Sequence, residues 1–151
     1  MAEKGPHLLL VEAPYYTHIA ALLREGAENA LAAAGATFEA VQVPGAFEIP
    51  GAIGMAAKAA GKFDGFVALG CVIRGETSHY DHICESTAES LQRLAVEGGL
   101  PIGYGILTCE NESQALVRAT PGGNGRDKGG ESVRACLALI DLRRKFQGAT
   151  P

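Results

Sequence analysis

The sequence predicts an α/β protein of three layers: a four-stranded parallel sheet with helices on both faces. Three observations carry that expectation. Strand-like apolar runs and helix-period segments follow the order β-α-β-α-β-α-β-α-α, and strands joined through helices run parallel. The run Phe66–Ile73 is continuously apolar, as a strand covered on both faces must be. The length of 151 residues suits a single domain, residues 1–151, with one sizeable core.

The elements follow in order. Leu8–Val11 form a short apolar strand. Ile19–Ala34 read as a helix, with Ile19, Leu22, Leu23, Ala27, Ala30, Leu31 and Ala34 at helical spacing opposite Arg24, Glu25 and Glu28. Thr17 is placed to cap it and Gly35 to stop it. Thr37–Val43 alternate as a second strand, broken by Pro44-Gly45. Pro50 suits the first turn of a second helix, running to about Lys58 and closed by Gly61; its Gly and Ala content would let backbones pack closely.

Strand three is Phe66–Ile73. Helix three runs from about His79 to Val96, with Tyr80, Ile83, Cys84, Thr87, Ala88, Leu91, Leu94 and Ala95 as its inward stripe. Gly98-Gly99 turn into strand four, Ile102–Thr108. Asn111 with Gln114 resembles a capping box for a short helix ending near Ala119. The glycine-rich loop Pro121–Gly130 precedes a last helix to about Phe146, where Arg143, Arg144 and Lys145 suit the negative end of the helix dipole.

Composition excludes several function classes. Hydrophobic residues make up 47% and charged residues 20%, which is globular, and the net charge of −4 offers no general attraction to nucleic acid or anionic membrane. No apolar run is long enough to span a bilayer, and no cleavable leader is visible, so a cytoplasmic protein is expected. Cys71, Cys84, Cys109 and Cys136 lack metal-ligand spacing and read as reduced core residues.

The chemistry gathers at strand ends, where ligands bind in open α/β sheets. Arg74, Gly75, Glu76, Thr77, Ser78, His79, Asp81 and His82 crowd the handover from strand three to helix three. Ser78-His79-Tyr80-Asp81 has capping-box spacing, which would place His79 in the first helical turn beside free backbone N–H groups. A neutral histidine there can accept a proton; a capping loop with an ordinary exposed histidine would look the same. His79 and His82 could share a helix face, but no third metal ligand stands at a recognisable spacing. His82 reads as a partly buried helix residue, and His7 and His18 belong to no chemical pattern.

VPGAFEIP (Val43–Pro50) puts Phe47 and Glu48 at a strand end; Glu48 can cap the following helix or accept hydrogen bonds from a polyol or a ring N–H. Tyr15 and Tyr16 follow strand one, where an aromatic ring can stack on a flat heterocycle; chance surface tyrosines would look the same. The loop Gly122–Gly130 lacks a Gly-Lys-Ser/Thr sequence, and Gly103-Tyr104-Gly105 lacks the rest of a dinucleotide fingerprint, so neither argues for nucleotide binding. Arg118 and Lys128, flanking the loop, can hold an anion or can simply be solvated.

In order and spacing, VPGAFEIP, LGCVIRGETSHYD, GYGILTCEN and the Arg118–Lys128 region resemble the lumazine synthase (6,7-dimethyl-8-ribityllumazine synthase) family, from Leu8 to Phe146. The resemblance implies a flavodoxin-like subunit of a pentameric ring. It also implies a cofactor-free transferase of riboflavin biosynthesis that joins 5-amino-6-(ribitylamino)uracil to 3,4-dihydroxy-2-butanone 4-phosphate. Carried over residue by residue, Tyr15 would stack on the pyrimidine, and Ala46, Phe47 and Glu48 would line the ribityl and pyrimidine site. Cys71, Val72 and Ile73 would hold the uracil edge through their backbone, with Tyr104 supplied by a neighbouring subunit and Lys128 and Glu131 nearby. Glu76, Thr77 and Arg118 would bind the butanone phosphate, and His79 would carry the proton.

Two departures stand out: Cys71 replaces the more usual Thr, and the Arg118–Lys128 loop is longer than in shell-forming members. The longer loop favours a pentamer or a decamer over a 60-subunit shell. A functional link to riboflavin synthase is also implied. The competing readings are a non-catalytic relative that carries flavin or lumazine and, behind it, a metal enzyme built on His79 and His82.

Overall fold

The computed structural model describes residues 5–59, 61–76 and 79–148. Four parallel strands, β1 (His7–Glu12), β2 (Thr37–Gln42), β3 (Gly65–Ile73) and β4 (Ile102–Cys109), lie in the order β2-β1-β3-β4. Helices α1 (Thr17–Ala33), α4 (Glu112–Ala119) and α5 (Lys128–Phe146) cover one face, and α2 (Ile49–Ala57) and α3 (Tyr80–Gly98) the other. This is the expected α/β architecture.

The pleat divides the core. Leu8, Leu10, Val67, Leu69 and Leu107 point toward α1, α4 and α5, while Leu9, Val11, Phe66, Ala68 and Ile106 point toward α2 and α3. β3 is buried from Gly65 to Gly70, which is why its sequence does not alternate. β2 does alternate, but as an edge strand it stays largely exposed, with Val41 at 43%.

Helix ends depart from expectation in instructive ways. Thr17 is the first residue of α1 rather than its cap; Tyr16 holds the cap position without a side-chain bond. Gly35 does stop α1, at φ +68°. α2 ends at Ala57, short of Gly61, and its glycines make no close contact: a Cβ on Gly51 would meet nothing within 4 Å, and one on Gly54 would touch Leu94 at 3.8 Å. Close backbone approach occurs instead at α5, where a Cβ on Gly103 would lie 2.1 Å from the Ser132 carbonyl oxygen. α5 begins at Lys128, so Lys128–Gly130 are helical rather than loop, because the Asp127 carboxylate accepts from the Gly130 N–H at 3.1 Å. Asn111 Oδ1 accepts from the Gln114 N–H as expected, but Gln114 Oε1 reaches back to Glu110 N rather than to the cap residue.

Arg24, assigned by its periodicity to the outer face of α1, reaches over to Glu12. Their side chains meet at 2.8 Å, and Glu12 is only 5% exposed. All four cysteines are free, with Cys109 and Cys136 buried and Cys71 and Cys84 half-buried. Burial pushes each thiol up, Cys71 and Cys136 to about 12. No described helix is long and apolar enough to cross a membrane.

Candidate active site

The residues named from sequence fall into two groups. The first gathers beyond the carboxyl end of β1. Pairing of β3 with β1 ends at Glu12 opposite Leu69, and Ala13 N–H donates to the Leu69 carbonyl at 2.9 Å. β3 nevertheless continues to Ile73. Since backbone groups alternate sides along a strand, the N–H and C=O of Cys71 and Ile73 face the gap that β1 vacates. On its other side β3 stays paired to β4 as far as Ile73 opposite Cys109. The gap therefore offers rigid backbone donors and acceptors, suited to the edge of a flat polar ring. The Cys71 side chain packs against the α1 face of the core, so its chemistry does not bear on that offer.

The segment Ala46–Glu48 forms a single 3-10 turn at the same end, packed against β3 and α3. Ala46 is buried, anchoring the turn, while Phe47 is 58% exposed. Glu48 holds the cap position of α2 but makes no capping bond, which overturns the simpler expectation that it serves the helix. Tyr15 is 72% exposed and meets Tyr16 edge-on, with ring centroids 4.9 Å apart.

His79 lies immediately before α3, not in its first turn, and makes no side-chain capping bond; its carbonyl accepts from Ile83 N at 2.9 Å. Thr77, Ser78 and the side chain of Glu76 lie outside the described residues, and with them the expected phosphate contacts of Glu76 and Thr77 and the capping role of Ser78. Arg74 is committed elsewhere. Its guanidinium meets Glu110 at 2.9 Å and Asp81 at 3.2 Å and lies over the Tyr80 ring at 4.3 Å, which ties the ends of β3 and β4 to α3 rather than presenting a cation to a ligand. His82 is exposed on α3, not partly buried. Among the described residues no group of three or more His, Cys, Asp or Glu is arranged to hold a metal ion.

The second group lies along the outer edge of β4. A cavity of about 300 Å³ is lined by Tyr104, Ile106, Leu107 and Thr108 of that strand, Arg118 of α4, Arg126 of the following loop, and Lys128 and Glu131 of α5. Tyr104 is half-buried, and burial pushes its hydroxyl pKa up, so it is a neutral aromatic wall. Lys128 meets Glu131 at 3.2 Å. Arg118 approaches the Cys109 thiol at 4.0 Å and has no carboxylate partner among the described residues. An edge cavity carrying more cation than carboxylate is built for an anion. Arg126 escaped the sequence reading because it sits inside the glycine-rich loop; its charge within that loop was the available signal.

Compared with known families, residues 5–144 match the one described as 6,7-dimethyl-8-ribityllumazine synthase. The chain belongs to that family. It is 50% identical to the 6,7-dimethyl-8-ribityllumazine synthase of Agrobacterium fabrum over 147 residues, covering 95% of this chain and 98% of that one. It is 49% identical to 6,7-dimethyl-8-ribityllumazine synthase 1 of Rhizobium meliloti, covering 95% of each. The synthase of Methylocella silvestris is 52% identical over 145 residues, covering 93% of this chain and 87% of that one. The lumazine synthase resemblance read from four short blocks thus extends over nearly the whole chain. The two groups of candidate residues lie at different parts of the sheet: one past the end of β1, the other on the outer side of β4, the edge opposite β2.

Proposed function

We propose that this chain condenses 5-amino-6-(ribitylamino)uracil with 3,4-dihydroxy-2-butanone 4-phosphate, releasing phosphate and water, as a transferase of riboflavin biosynthesis. The observation that carries the reading beyond family membership is the pairing of a vacant backbone edge at Cys71 and Ile73 with a separate cation-rich cleft at Arg118 and Lys128. One suits a flat uracil and the other a phosphate, and the reaction joins a substrate of each kind.

In this reading the backbone of Cys71, Val72 and Ile73 holds the uracil, with Tyr15 stacked on it. Ala46, Phe47 and Glu48 line the ribityl chain, Glu48 accepting from its hydroxyls. Arg118, with Glu76 and Thr77, takes the phosphate. The 5-amino group attacks the ketone to form an imine with loss of water; phosphate then leaves, the ribitylamino nitrogen closes the ring and a second water departs. His79 moves protons between these steps. The reactants are intrinsically reactive, so holding them together supplies much of the rate and no cofactor enters.

The reading includes one domain over residues 1–151, a cytoplasmic location and a homo-oligomer. Tyr104, Arg118 and Lys128 of one copy would complete the gap beside Cys71 and Ile73 of the next, in a pentamer or decamer rather than a 60-subunit shell. Exposed Phe47, Val117, Leu139 and Leu142 are apolar surface that such contacts would cover. Sedimentation would show five or ten copies; a hollow sphere in negative-stain images would remove the assembly part. A link to riboflavin synthase, which would use the product, belongs to the same reading.

The test is an assay with both substrates in the presence of EDTA, following lumazine absorbance and fluorescence. Product that falls sharply in Arg118→Ala and His79→Ala supports the reading. Tight lumazine or riboflavin binding without product would make the chain a carrier, and loss of activity on chelation would point to a metal enzyme.

A further inference from the structure

We infer that Arg126 is a second guanidinium of the phosphate subsite, set beside Arg118 by the loop between α4 and α5. This rests on the reading of that cleft as the site for the phosphorylated substrate. Three cations line the cleft, but they are not equivalent. Lys128 is already paired, with its Nζ 3.2 Å from Glu131. Among the described residues, Arg118 has only the Cys109 thiol as a side-chain partner, and Arg126 has none. The charge open to an incoming anion is therefore carried by two arginines, not by one arginine and one lysine.

The loop holds Arg126 in place through its backbone. Arg126 N–H donates to the Val117 carbonyl at 2.9 Å, and Asp127 N–H to the Thr120 carbonyl at 3.1 Å, so the residue is tied to the last turn of α4, the turn that carries Arg118. Gly125 N–H donates to the Gly122 carbonyl at 2.9 Å. Gly125 itself lies flush on Thr120: a Cβ there would sit 1.8 Å from the Thr120 carbonyl oxygen, so the tight course of the chain into Arg126 requires glycine. On the far side Asp127 turns the chain into α5 at φ 50°. Both guanidiniums thus lie on one short segment anchored at both ends.

Two planar forks can share the oxygens of a phosphate dianion, and Arg holds such oxyanions with paired N–H bonds that Lys cannot reproduce. The site is accordingly matched to a doubly charged phosphate monoester.

The test uses the whole protein and reads KM for the butanone phosphate, kcat, and competitive inhibition by inorganic phosphate. Arg126→Gln is expected to raise both KM for that substrate and the phosphate inhibition constant roughly tenfold, leaving KM for the aminouracil unchanged. Arg126→Lys should recover only part of the loss. The same loss persisting at high salt marks a contact; a loss that vanishes at high salt marks long-range attraction and overturns the inference. If Arg126→Gln changes neither constant while Arg118→Gln changes both, Arg126 is not part of the subsite although the proposed function stands. If neither arginine affects phosphate, the assignment of the cleft fails as well.

Discussion

The Arg118 guanidinium lies 4.0 Å from the Cys109 thiol, at the point where β4 ends and α4 has nearly run its length. Cys109 is 1% exposed, so one side of Arg118 rests on a buried, uncharged sulfur while its charge remains uncompensated by any described carboxylate. A cation supported this way keeps its strength for a ligand. Arg118→Ala is expected to lower kcat/KM for the butanone phosphate by roughly 10- to 150-fold, the worth of a hydrogen bond to a charged group. Equal kcat/KM in variant and parent would remove Arg118 from the anion site.

His79 stands outside α3, immediately before its first residue, and makes no side-chain capping bond to that helix. His79→Ala should reduce kcat by on the order of 10²-fold, the low end for acid–base catalysis, with little change in either KM. A loss confined to KM would reassign His79 to binding.

Glu12 and Arg24 predict a stability effect. Arg24 is held above its ordinary pKa even though burial, the largest influence, works the other way; its bonds to Glu12 and Glu28 prevail. Arg24→Ala strands the Glu12 carboxylate inside and should destabilise the fold by roughly 1–3 kcal/mol, whereas Glu12→Gln, which keeps a polar partner, should cost less. Urea unfolding of the two variants compares them, and the reverse ranking would contradict the account.

The cysteines set an alkaline limit. Cys71 and Cys136 are raised to about 12 by burial, against an ordinary value of 9.0. Between those values the unfolded chain has lost the thiol protons that the folded chain keeps. The two thiols therefore contribute fully below pH about 9, and their contribution declines as pH rises toward 12. Urea midpoints should fall above pH about 9, and less steeply in Cys136→Ala. Identical slopes in the two proteins would show that Cys136 is not responsible.

Much of this was legible in the sequence because the dominant force is periodic burial. The unbroken run Phe66–Ile73 could only be a strand covered on both faces, and the stripes of α1 and α3 could only be helices lying on a sheet. What was not legible depends on partners far along the chain. Nothing near Arg24 announces Glu12, and the outer-face assignment failed because the long side chain reaches around its helix. His82 carried a helical position but not its exposure, since the residues of α3 facing the sheet are set by the sheet. Glu48 looked like a cap because spacing shows where a carboxylate stands, not where it points. Arg126 hid among glycines whose purpose, clear only from the close approach of Gly125 to Thr120, is to hold the loop in place.

The separation of the two residue groups across the sheet has a consequence for mixed assemblies. In the proposed ring every member has half a site to give and half to receive. A protein broken only at Phe47 and Glu48 and another broken only at Arg118 would each be strongly impaired alone. Unfolded together and reassembled in equal amounts, they should regain activity at about a quarter of their junctions, those where both intact halves meet. Sites housed within single subunits would regain none.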